Sequence, residues 1–303
     1  MKTLVVVVLC WNGLALTRRT LDSLARCRVP AGWRVRVLAV DNASSDGTPA
    51  AIAAEYGWVE LLALAENRRF AGGNNAGLAR ALGEGADAVM LLNNDVQADP
   101  ALHEKLLGAL GDDPHAAAAA PLIYHAAPSD VIWYAGGRCD VALAHASHVG
   151  LRTRDRGQYR AVAPTQYLTG CCLLATAAAW RAIGPLDEGY FIYAEDADWS
   201  LRAREAGYTL LFVPTARLWH EVSASSGGAA NPWKVYQRLR ANLRLFARHA
   251  RGIARVTWLP AFLAQQAALG AVLLARGQSA AAWAIPRALL DALRRRDPAE
   301  VRP

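Results

Sequence analysis

The fold of this chain is decided by the stretch Ala88-Val89-Met90-Leu91-Leu92-Asn93-Asn94-Asp95. Five consecutive apolar residues without polar alternation describe a strand covered on both faces, the habit of a parallel sheet. The run stops at two amides and a carboxylate, and the same arrangement recurs upstream. Leu4-Val5-Val6-Val7-Val8-Leu9-Cys10 runs into Trp11-Asn12, the apolar stretch over 35–40 into Asp41, and that over 59–64 into Asn67-Arg68-Arg69. Helical spacing fills the gaps: over 14–26 with Asn12 placed to cap it, over 49–56 behind the turn Ser45-Asp46-Gly47-Thr48, over 72–82 and over 100–110.

This alternation predicts a parallel sheet with right-handed crossovers. Ligands of such sheets lie beyond the carboxyl ends of the strands. Asn12, Asp41, Asn67-Arg68-Arg69 and Asn93-Asn94-Asp95 are therefore expected to converge on one crevice suited to a polar, phosphorylated ligand. Downstream the pattern is less regular. Strands are expected over 131–134, 166–175 and 209–213, and helices over 177–183 and 195–206, the second ended by Gly207. A Ser- and Gly-rich loop is expected over 223–230.

The 303 residues are 53% hydrophobic and 19% charged, which suits a sizeable core and not global disorder. No basic leader with a cleavage site precedes the first strand, so no secretory signal is expected. The five cysteines (Cys10, Cys27, Cys139, Cys171, Cys172) match neither zinc nor disulfide spacing and favour a reducing cytosol. No G-x-G-x-x-G follows the first strand and no P-loop sequence occurs, which sets aside ordinary NAD binding and P-loop chemistry.

The net charge of +7 is uneven. Residues 233–303 carry 13 Lys and Arg against 3 Asp and Glu, whereas residues 1–232 carry 20 against 23. The basicity belongs to the tail, which argues against a nucleic-acid-binding core and for a tail that meets something anionic. Over 233–255, Lys234, Arg238, Arg244, Arg248, Arg251 and Arg255 recur at helical intervals, with Val235, Leu239, Leu243, Phe246 and Ile253 on another face. This reads as a basic amphipathic helix. Residues 256–275 are nearly uncharged, but Pro260, Gln265 and Gln266 favour an interfacial hairpin or a packed helix over a membrane span.

Several side chains could carry chemistry. Asp95 can hold a hard divalent cation against a diphosphate, or can merely begin a turn. Its company with Asp41 and Arg69 at neighbouring strand ends favours the ligand site. Asp41 can accept a hydrogen bond from a base imide or a ribose hydroxyl, or make an Asx turn. The stretch from Asn67 to Gly77 opens a helix with arginines, glycines and amides. Its free N–H groups can meet phosphate, or its glycines can simply pack on the sheet. In Phe191-Ile192-Tyr193-Ala194-Glu195-Asp196-Ala197-Asp198-Trp199, the residues Glu195, Asp198 and Arg202 share a helix face and can form an ion-pair ladder. That leaves Asp196 as a general base, although first-turn acids also suit the helix dipole alone. His220 is structural by default, and an extra metal ligand if Asp95 holds a cation.

Taken in order, five stretches resemble glycosyltransferase family 2, the inverting enzymes of GT-A fold. They are Val40-Asp41-Asn42-Ala43-Ser44-Ser45-Asp46-Gly47-Thr48, Asn67-Arg68-Arg69-Phe70-Ala71-Gly72-Gly73-Asn74-Asn75, Asn93-Asn94-Asp95-Val96, the stretch from Phe191 to Trp199, and Trp219-His220-Glu221-Val222-Ser223-Ala224-Ser225-Ser226-Gly227. The last of these and the basic tail resemble the rhamnosyltransferase-like branch. The resemblance spans about residues 3–250. It implies an α/β fold of GT-A type, a Rossmann-like mixed sheet flanked by helices and followed by a C-terminal amphipathic helical segment. A catalytic domain over 1–232, with a nucleotide-sugar half over 1–110 and an acceptor half over 111–232, would precede the helical tail at 233–303.

The resemblance further implies a nucleotide-diphosphate sugar donor, dTDP-rhamnose first and a UDP-sugar second. It implies a glycan or polyprenyl-diphosphate-linked acceptor, a divalent metal (Mg2+ or Mn2+) and no nucleic acid. It suggests a cytoplasmic location, peripheral on the inner face of the cell membrane, with residues 233–303 on an anionic surface. Carried onto this sequence, Asp95 and His220 are the metal ligands and Asp196 the general base, with Glu195 beside it in the catalytic pair. Asn12, Asp41, Arg69, Asn75, Asn94, Gly170 and Trp199 become substrate contacts. The chain departs from the family where Cys10-Trp11-Asn12 stands for the usual Thr-Tyr-Asn, and where Asp95 is the single acid of the metal motif. The alternatives are a sugar nucleotidyltransferase, which would carry a Gly-rich basic loop after the first strand, and a non-catalytic nucleotide-sugar binder.

Overall fold

The computed structural model describes residues 1–113, 115–126, 129–221 and 231–298. The loop expected over 223–230, and the last quoted stretch from Val222 onward, lie outside the described residues. The first half reads β1 (Lys2–Cys10), α1 (Leu14–Leu24), β2 (Trp33–Asp41), α2 (Thr48–Glu55), β3 (Val59–Ala63), α3 (Arg69–Gly83), β4 (Ala88–Asn93), β5 (Val96–Ala98) and α4 (Leu102–Asp112). It continues as β6 (Ala116–His125), β7 (Ile132–Tyr134), β8 (Gly137–Asp140), β9 (His145–His148), β10 (Ala163–Pro164), β11 (Cys172–Thr176), α5 (Ala177–Ile183), α6 (Glu195–Glu205) and β12 (Thr209–His220). Three helices close the chain: α7 (Pro232–His249), α8 (Ala254–Ala275) and α9 (Ser279–Leu293).

The main sheet has ten strands, ordered β10-β12-β6-β11-β4-β1-β2-β3, with β5 on β12 and β7 on β6. Strands β1, β2, β3 and β4 run parallel, as the apolar runs dictate, and residues 4–8 are essentially inaccessible. The sheet is not parallel throughout. Strand β11 enters antiparallel between β4 and β6, so the sheet is mixed, as the family resemblance implied and the strand–helix alternation alone did not.

Strand β6 gave no strand signal. Its five alanines favour helix by propensity, and Pro121 cannot donate to a ladder. Tertiary context overrides both, because the segment is buried almost throughout between β12 and β11. Pro121 lies beside Val213, where β12 shifts register before Arg217, so the missing donor coincides with an irregularity in the partner. Other local expectations also move. The strand expected over 166–175 shrinks to β11, and the one expected over 209–213 extends to His220. Asn12 does not cap α1, whose N-cap is Gly13 at φ 76°. Asp46 does that work from the next loop, accepting from the Leu14 N–H (3.0 Å) while its other oxygen takes the Thr48 N–H (3.1 Å) at the start of α2.

The helical layer shares a second apolar cluster with the body. Tyr236, Leu239, Leu245 and Phe246 of α7 pack with Tyr190, Ala197 and Leu201. Helix α7 ends at His249, so Ile253 leaves the expected apolar face and is 72% exposed. The expected free basic face is partly engaged: Lys234 is buried, and Arg244 (2.9 Å) and Arg248 pair with Asp187. Thr257 Oγ1 and Gln265 Nε2 of α8 donate to the carbonyls of Ala142 (2.9 Å) and Leu143 (2.6 Å), which ties α8 to the β8–β9 turn.

The tightest link between layer and body is Asp198 of α6. It is fully buried and meets Arg202 Nε at 2.9 Å, His249 Nε2 at 2.9 Å and the Tyr190 hydroxyl at 3.3 Å. The other ring nitrogen of His249 meets Glu205 at 2.8 Å. A ring facing a carboxylate at each nitrogen must donate from both, so it is held as imidazolium. Burial opposes that charge, but Asp198 and Glu205 outweigh burial and hold His249 above its ordinary value of 6.5. Burial likewise opposes ionisation of Asp198, and His249 and Arg202 outweigh it, holding the carboxyl below 3.8.

A raised histidine contributes fully below pH 6.5 and loses its contribution as pH rises through the raised value. The depressed aspartate keeps its share at every pH above 3.8. His249→Gln should therefore lower unfolding stability by about 1–3 kcal/mol below pH 6.5. The deficit should narrow as pH rises, as followed by denaturant unfolding across pH. A pH-independent deficit would contradict the charged pairing.

Candidate active site

The strand-end clusters converge through direct hydrogen bonds. Asn12 donates its N–H to Ser44 Oγ (2.8 Å) and accepts at Oδ1 from the Ser45 N–H (2.9 Å). Asn94 Nδ2 donates to the Asn12 carbonyl (3.3 Å) and to Thr17 Oγ1 (2.9 Å). Asn42 joins the third cluster, donating to Asn67 Oδ1 and the Arg69 carbonyl (both 3.0 Å) and accepting from the Arg68 N–H (2.8 Å). Asp41 is 2% exposed and uses Oδ2 for the Ser44 N–H, while its buried Oδ1 has no partner among the described residues. An orphaned buried acceptor of this kind marks a place for an external donor.

Arg69 stands in the left-handed region at φ 62°, and its guanidinium lies 4.6 Å over the Phe191 ring. Its neighbour Arg68 instead pairs with Glu188 at 3.7 Å. The glycines behind these arginines serve packing. A Cβ on Gly73 would sit 2.4 Å from Leu9, and one on Gly77 2.4 Å from Val7, so α3 lies against β1 as only glycine allows.

Asp95 and His220 meet although far apart in sequence. Strand β5 pairs antiparallel with the end of β12, and Asp95 Oδ1 lies 3.2 Å from His220 Nε2. Asp95 Oδ1 and His220 Nδ1 are buried and take no hydrogen bond among the described residues. Two donors on a small divalent ion, at bonds of about 2.1 Å and a right angle, stand about 3 Å apart. The pair fits two adjacent positions on such an ion. Among the described residues, no third His, Cys, Asp or Glu completes a protein-only cage.

The other acidic pair opens α6. Tyr193 (φ 72°) and Ala194 (φ 66°) precede Glu195 in left-handed conformations that cost free energy for non-glycine residues, a feature concentrated at functional sites. Asp196 accepts from the Gly170 N–H (2.7 Å) and the Ala197 N–H (2.7 Å). Gly170 belongs to the segment that enters β11, and the Asn93 N–H donates to the carbonyl of Cys171 (3.0 Å). The ends of β4 and β11 thus carry Asp95 and the support of Asp196 side by side, with paired strands about 4.8 Å apart. A Cβ on Gly170 would stand 3.0 Å from Phe70 and 3.4 Å from the Asp196 Cβ, so this contact needs glycine.

Glu195 does not join the ladder expected with Asp198 and Arg202. It is 5% exposed, and its Oε2 has no partner among the described residues. Burial first, and then the adjacent Asp196, pushes its pKa up to about 8. Asp196 is also raised by burial, against the two N–H donors that favour its charge. Two further residues are engaged elsewhere. Asn75 spends its amide on Leu186 (2.9 and 3.0 Å) and Glu188 (3.0 Å), which ties α3 to the loop before α6. Trp199 is fully buried against Trp180 and donates to the Gly184 carbonyl (2.9 Å).

The model of the glycosyl transferase family 2 domain matches residues 5–175, and that of glycosyl transferase family group 2 matches residues 115–293. The chain belongs to glycosyltransferase family 2. It is 32% identical over 213 residues to an N-acetylglucosaminyl-diphospho-decaprenol L-rhamnosyltransferase of Mycobacterium tuberculosis, over 64% of this chain and 68% of that one. An uncharacterized protein, y4gI, of Sinorhizobium fredii is 32% identical over 172 residues, 53% of this chain and 18% of that protein. Among solved structures, GalNAc-T7 with UDP, GalNAc and Mn2+ superposes with a TM-score of 0.64 at 17% identity, over 83% of this chain and 49% of the other. The mannosyltransferase PcManGT of Pyrobaculum calidifontis, in complex with GDP-Man and Mn2+, gives 0.61 at 18% identity, over 96% and 86%. These two share the fold, and the present chain spans about half the length of the first.

Some residues of this family 2 glycosyltransferase had little sequence signal. Asn42 stood beside Asp41 in a quoted stretch, yet its bridging of two loops needs coordinates. Trp133 of β7, edge-on to His220 at 4.7 Å between ring centres, follows from no motif. Phe191 was visible only as the start of the acidic stretch.

A buried acid with a raised value contributes stability below its unfolded value of 4.5 and loses it as pH rises through about 8. Glu195→Gln should remove that slope and make the enzyme more stable than wild type above pH 8. Infrared spectra should show a protonated carboxyl band near neutral pH that vanishes in the variant. Its absence from wild type would refute a neutral Glu195.

Proposed function

We propose that this glycosyltransferase moves a sugar with inversion from a nucleotide-diphosphate donor, dTDP-rhamnose first and a UDP-sugar second, to a polyprenyl-diphosphate-linked acceptor or a glycan. The observation that supports the reading is the backbone hydrogen bond from Asn93 to Cys171, which joins the strand end leading to the Asp95–His220 pair to the segment whose Gly170 supports Asp196. The name of the mycobacterial relative supports the rhamnosyl donor and the lipid-linked acceptor. Residues 1–232 form the catalytic unit on this reading, and the protein works at the inner face of the cell membrane.

Asp95 and His220 would hold Mg2+ or Mn2+ together with donor oxygens and water, a donor set that suits hard cations. Bound there, the cation would offset charge on the leaving nucleoside diphosphate. The free Oδ1 of Asp41 accepts from the base or ribose, and Arg69, stacked on Phe191 and without a carboxylate partner among the described residues, faces the donor. Asn12 and Asn94 shape the floor of the donor crevice through their mutual bond, and Asn75 and Trp199 hold α6 in place.

Asp196 takes the proton from the acceptor hydroxyl as that oxygen attacks the anomeric carbon on the face opposite the diphosphate. The Gly170 and Ala197 N–H groups aim this carboxylate and favour its charged form against the burial that raises its pKa. Glu195, neutral beside it, adds no second negative charge.

Asp196→Asn should lower turnover by about 100-fold or more while donor affinity stays near wild type, as measured by transfer of radiolabelled sugar and by calorimetry. Near-normal turnover would remove the base from Asp196. Asp95→Ala should weaken donor binding in the presence of Mn2+, and unchanged calorimetric affinity would argue against its ligand role. Product formation from dTDP-rhamnose and polyprenyl-diphosphate N-acetylglucosamine tests the substrate class directly. A UDP-sugar accepted in its place would correct the donor.

A further inference from the structure

Helix α8 is the most exposed apolar element of the chain. Among the described residues it is the one helix long and apolar enough to cross a membrane, with an 18-residue stretch of mean hydropathy 1.5 of which 11% is buried. Ala254, Phe262 and Leu273 are buried, and Thr257, Trp258, Ala261, Gln266 and Gly270 are half-buried. Val256, Leu259, Leu263, Ala267, Ala271 and Leu274 follow one another at three- and four-residue steps, all exposed, and so form one stripe along the helix. Val256 is 67% and Leu274 58% exposed. From Val256 to Leu274 the stripe is about 27 Å long. A soluble monomer seldom presents so continuous an apolar strip to water.

The surrounding charge says what covers it. Arg251 and Arg255 stand at one end of α8 and Arg276 at the other, while Arg294, Arg295 and Arg296 end α9, all exposed. From residue 250 to 298 the acids are Asp291, which is buried, and Asp297. An apolar stripe in a field of arginines is complementary to an anionic lipid surface, whose phosphates meet the guanidinium groups while acyl chains receive the apolar side chains.

The helix lies along such a surface and does not cross it. Its inner side is committed: the Phe262 ring packs at 6.3 Å on Phe246 of α7, and Thr257 and Gln265 hydrogen-bond to the β8–β9 turn. Spanning would break all three contacts, and insertion of the outer stripe breaks none.

We propose that the protein docks on anionic bilayers by inserting the α8 stripe, with the flanking arginines on lipid phosphates. The basic face of α7 is not the docking element. This deepens the lipid-linked acceptor reading and rests on it only for its purpose, since docking is tested without donor or acceptor.

Flotation of the full chain with phosphatidylglycerol–phosphatidylcholine vesicles should recover it in the lipid fraction. Part should remain bound at about 0.5 M salt, where purely electrostatic adsorption is screened. Leu259→Asp and Leu263→Asp should each cut the bound fraction about tenfold or more with unchanged circular dichroism, and Arg238→Gln on α7 should change it little. A nitrobenzoxadiazole label on Leu263→Cys should brighten and shift to the blue on vesicles, a readout that needs no destabilising change. Failure of wild type to float, equal flotation by the aspartate variants, complete release by salt or an unresponsive label would each overturn the proposal. So would light scattering that shows a dimer converted to monomer by Leu263→Asp, because the stripe would then be covered by a second copy. If vesicle binding holds while no polyprenyl-linked acceptor is used, the acceptor reading fails and the docking surface stands.

Discussion

The site depends on the antiparallel insertion of β11 between β4 and β6. In an uninterrupted parallel sheet, β4 would carry its polar end into the crevice with no partner from the second half of the chain. Because Cys172 pairs with Leu92 and the Asn93 N–H reaches the Cys171 carbonyl, the Thr169-Gly170-Cys171 segment arrives beside Asn93-Asn94-Asp95. From there a single hydrogen bond, Gly170 to Asp196, anchors the first turn of α6. Two segments a hundred residues apart, one leading to Asp95 and one supporting Asp196 through Gly170, are joined by backbone pairing, which is rigid.

Neighbouring acids could not all remain charged in so little water. The structure separates them by environment. Asp198 is turned inward and neutralised by Arg202 and His249, Asp196 receives the Gly170 and Ala197 N–H groups, and Glu195, buried beside Asp196 with Oε2 unpartnered among the described residues, has its pKa pushed up to about 8. Burial raises both Glu195 and Asp196, and the neighbouring Asp196 charge adds to the rise of Glu195. The left-handed backbone at Tyr193 and Ala194 turns the chain into α6, where Asp196 meets the Gly170 N–H and Asp198 faces His249 of the helical layer. Strain before the helix thus appears as the separation of three carboxylates into three roles.

Much of this could be read before coordinates, and the reasons are specific. Strands β1 and β4 hold unbroken apolar runs, and β2 ends in the apolar run Val37–Val40, so their polar ends needed only the rule of parallel sheets to be assembled. The five ordered stretches then carried the family. What was illegible was illegible for physical reasons. The alanines of β6 prefer helix in isolation, and only burial between two strands makes them a strand. Asn12 satisfied the local rule for a cap, but a left-handed φ turned it toward Ser44 and Ser45, and Asp46 from another loop took over. The ladder expected from Glu195 failed because helical spacing reports a shared face and says nothing of what covers it. The basic periodicity of α7 was real, yet Asp187 and Asp198 had already claimed part of it.

That last substitution changes what the C-terminal helices mean. A tail held only by a linker could be removed without consequence for the chemistry. Here His249 and Arg248 reach the fully buried Asp198, two residues from the proposed base, and Arg244 and Arg248 grip the loop that leads to it. Removing the layer would leave a buried carboxylate short of counter-charge, an arrangement that costs far more than loss of a surface ion pair. Helix α7 of the layer whose α8 presents the apolar stripe outward therefore stabilises α6 inward. Docking on a lipid surface and holding the catalytic helix are two faces of one packed layer, so an enzyme seated on the bilayer keeps its reactive cleft in a fixed position relative to that surface.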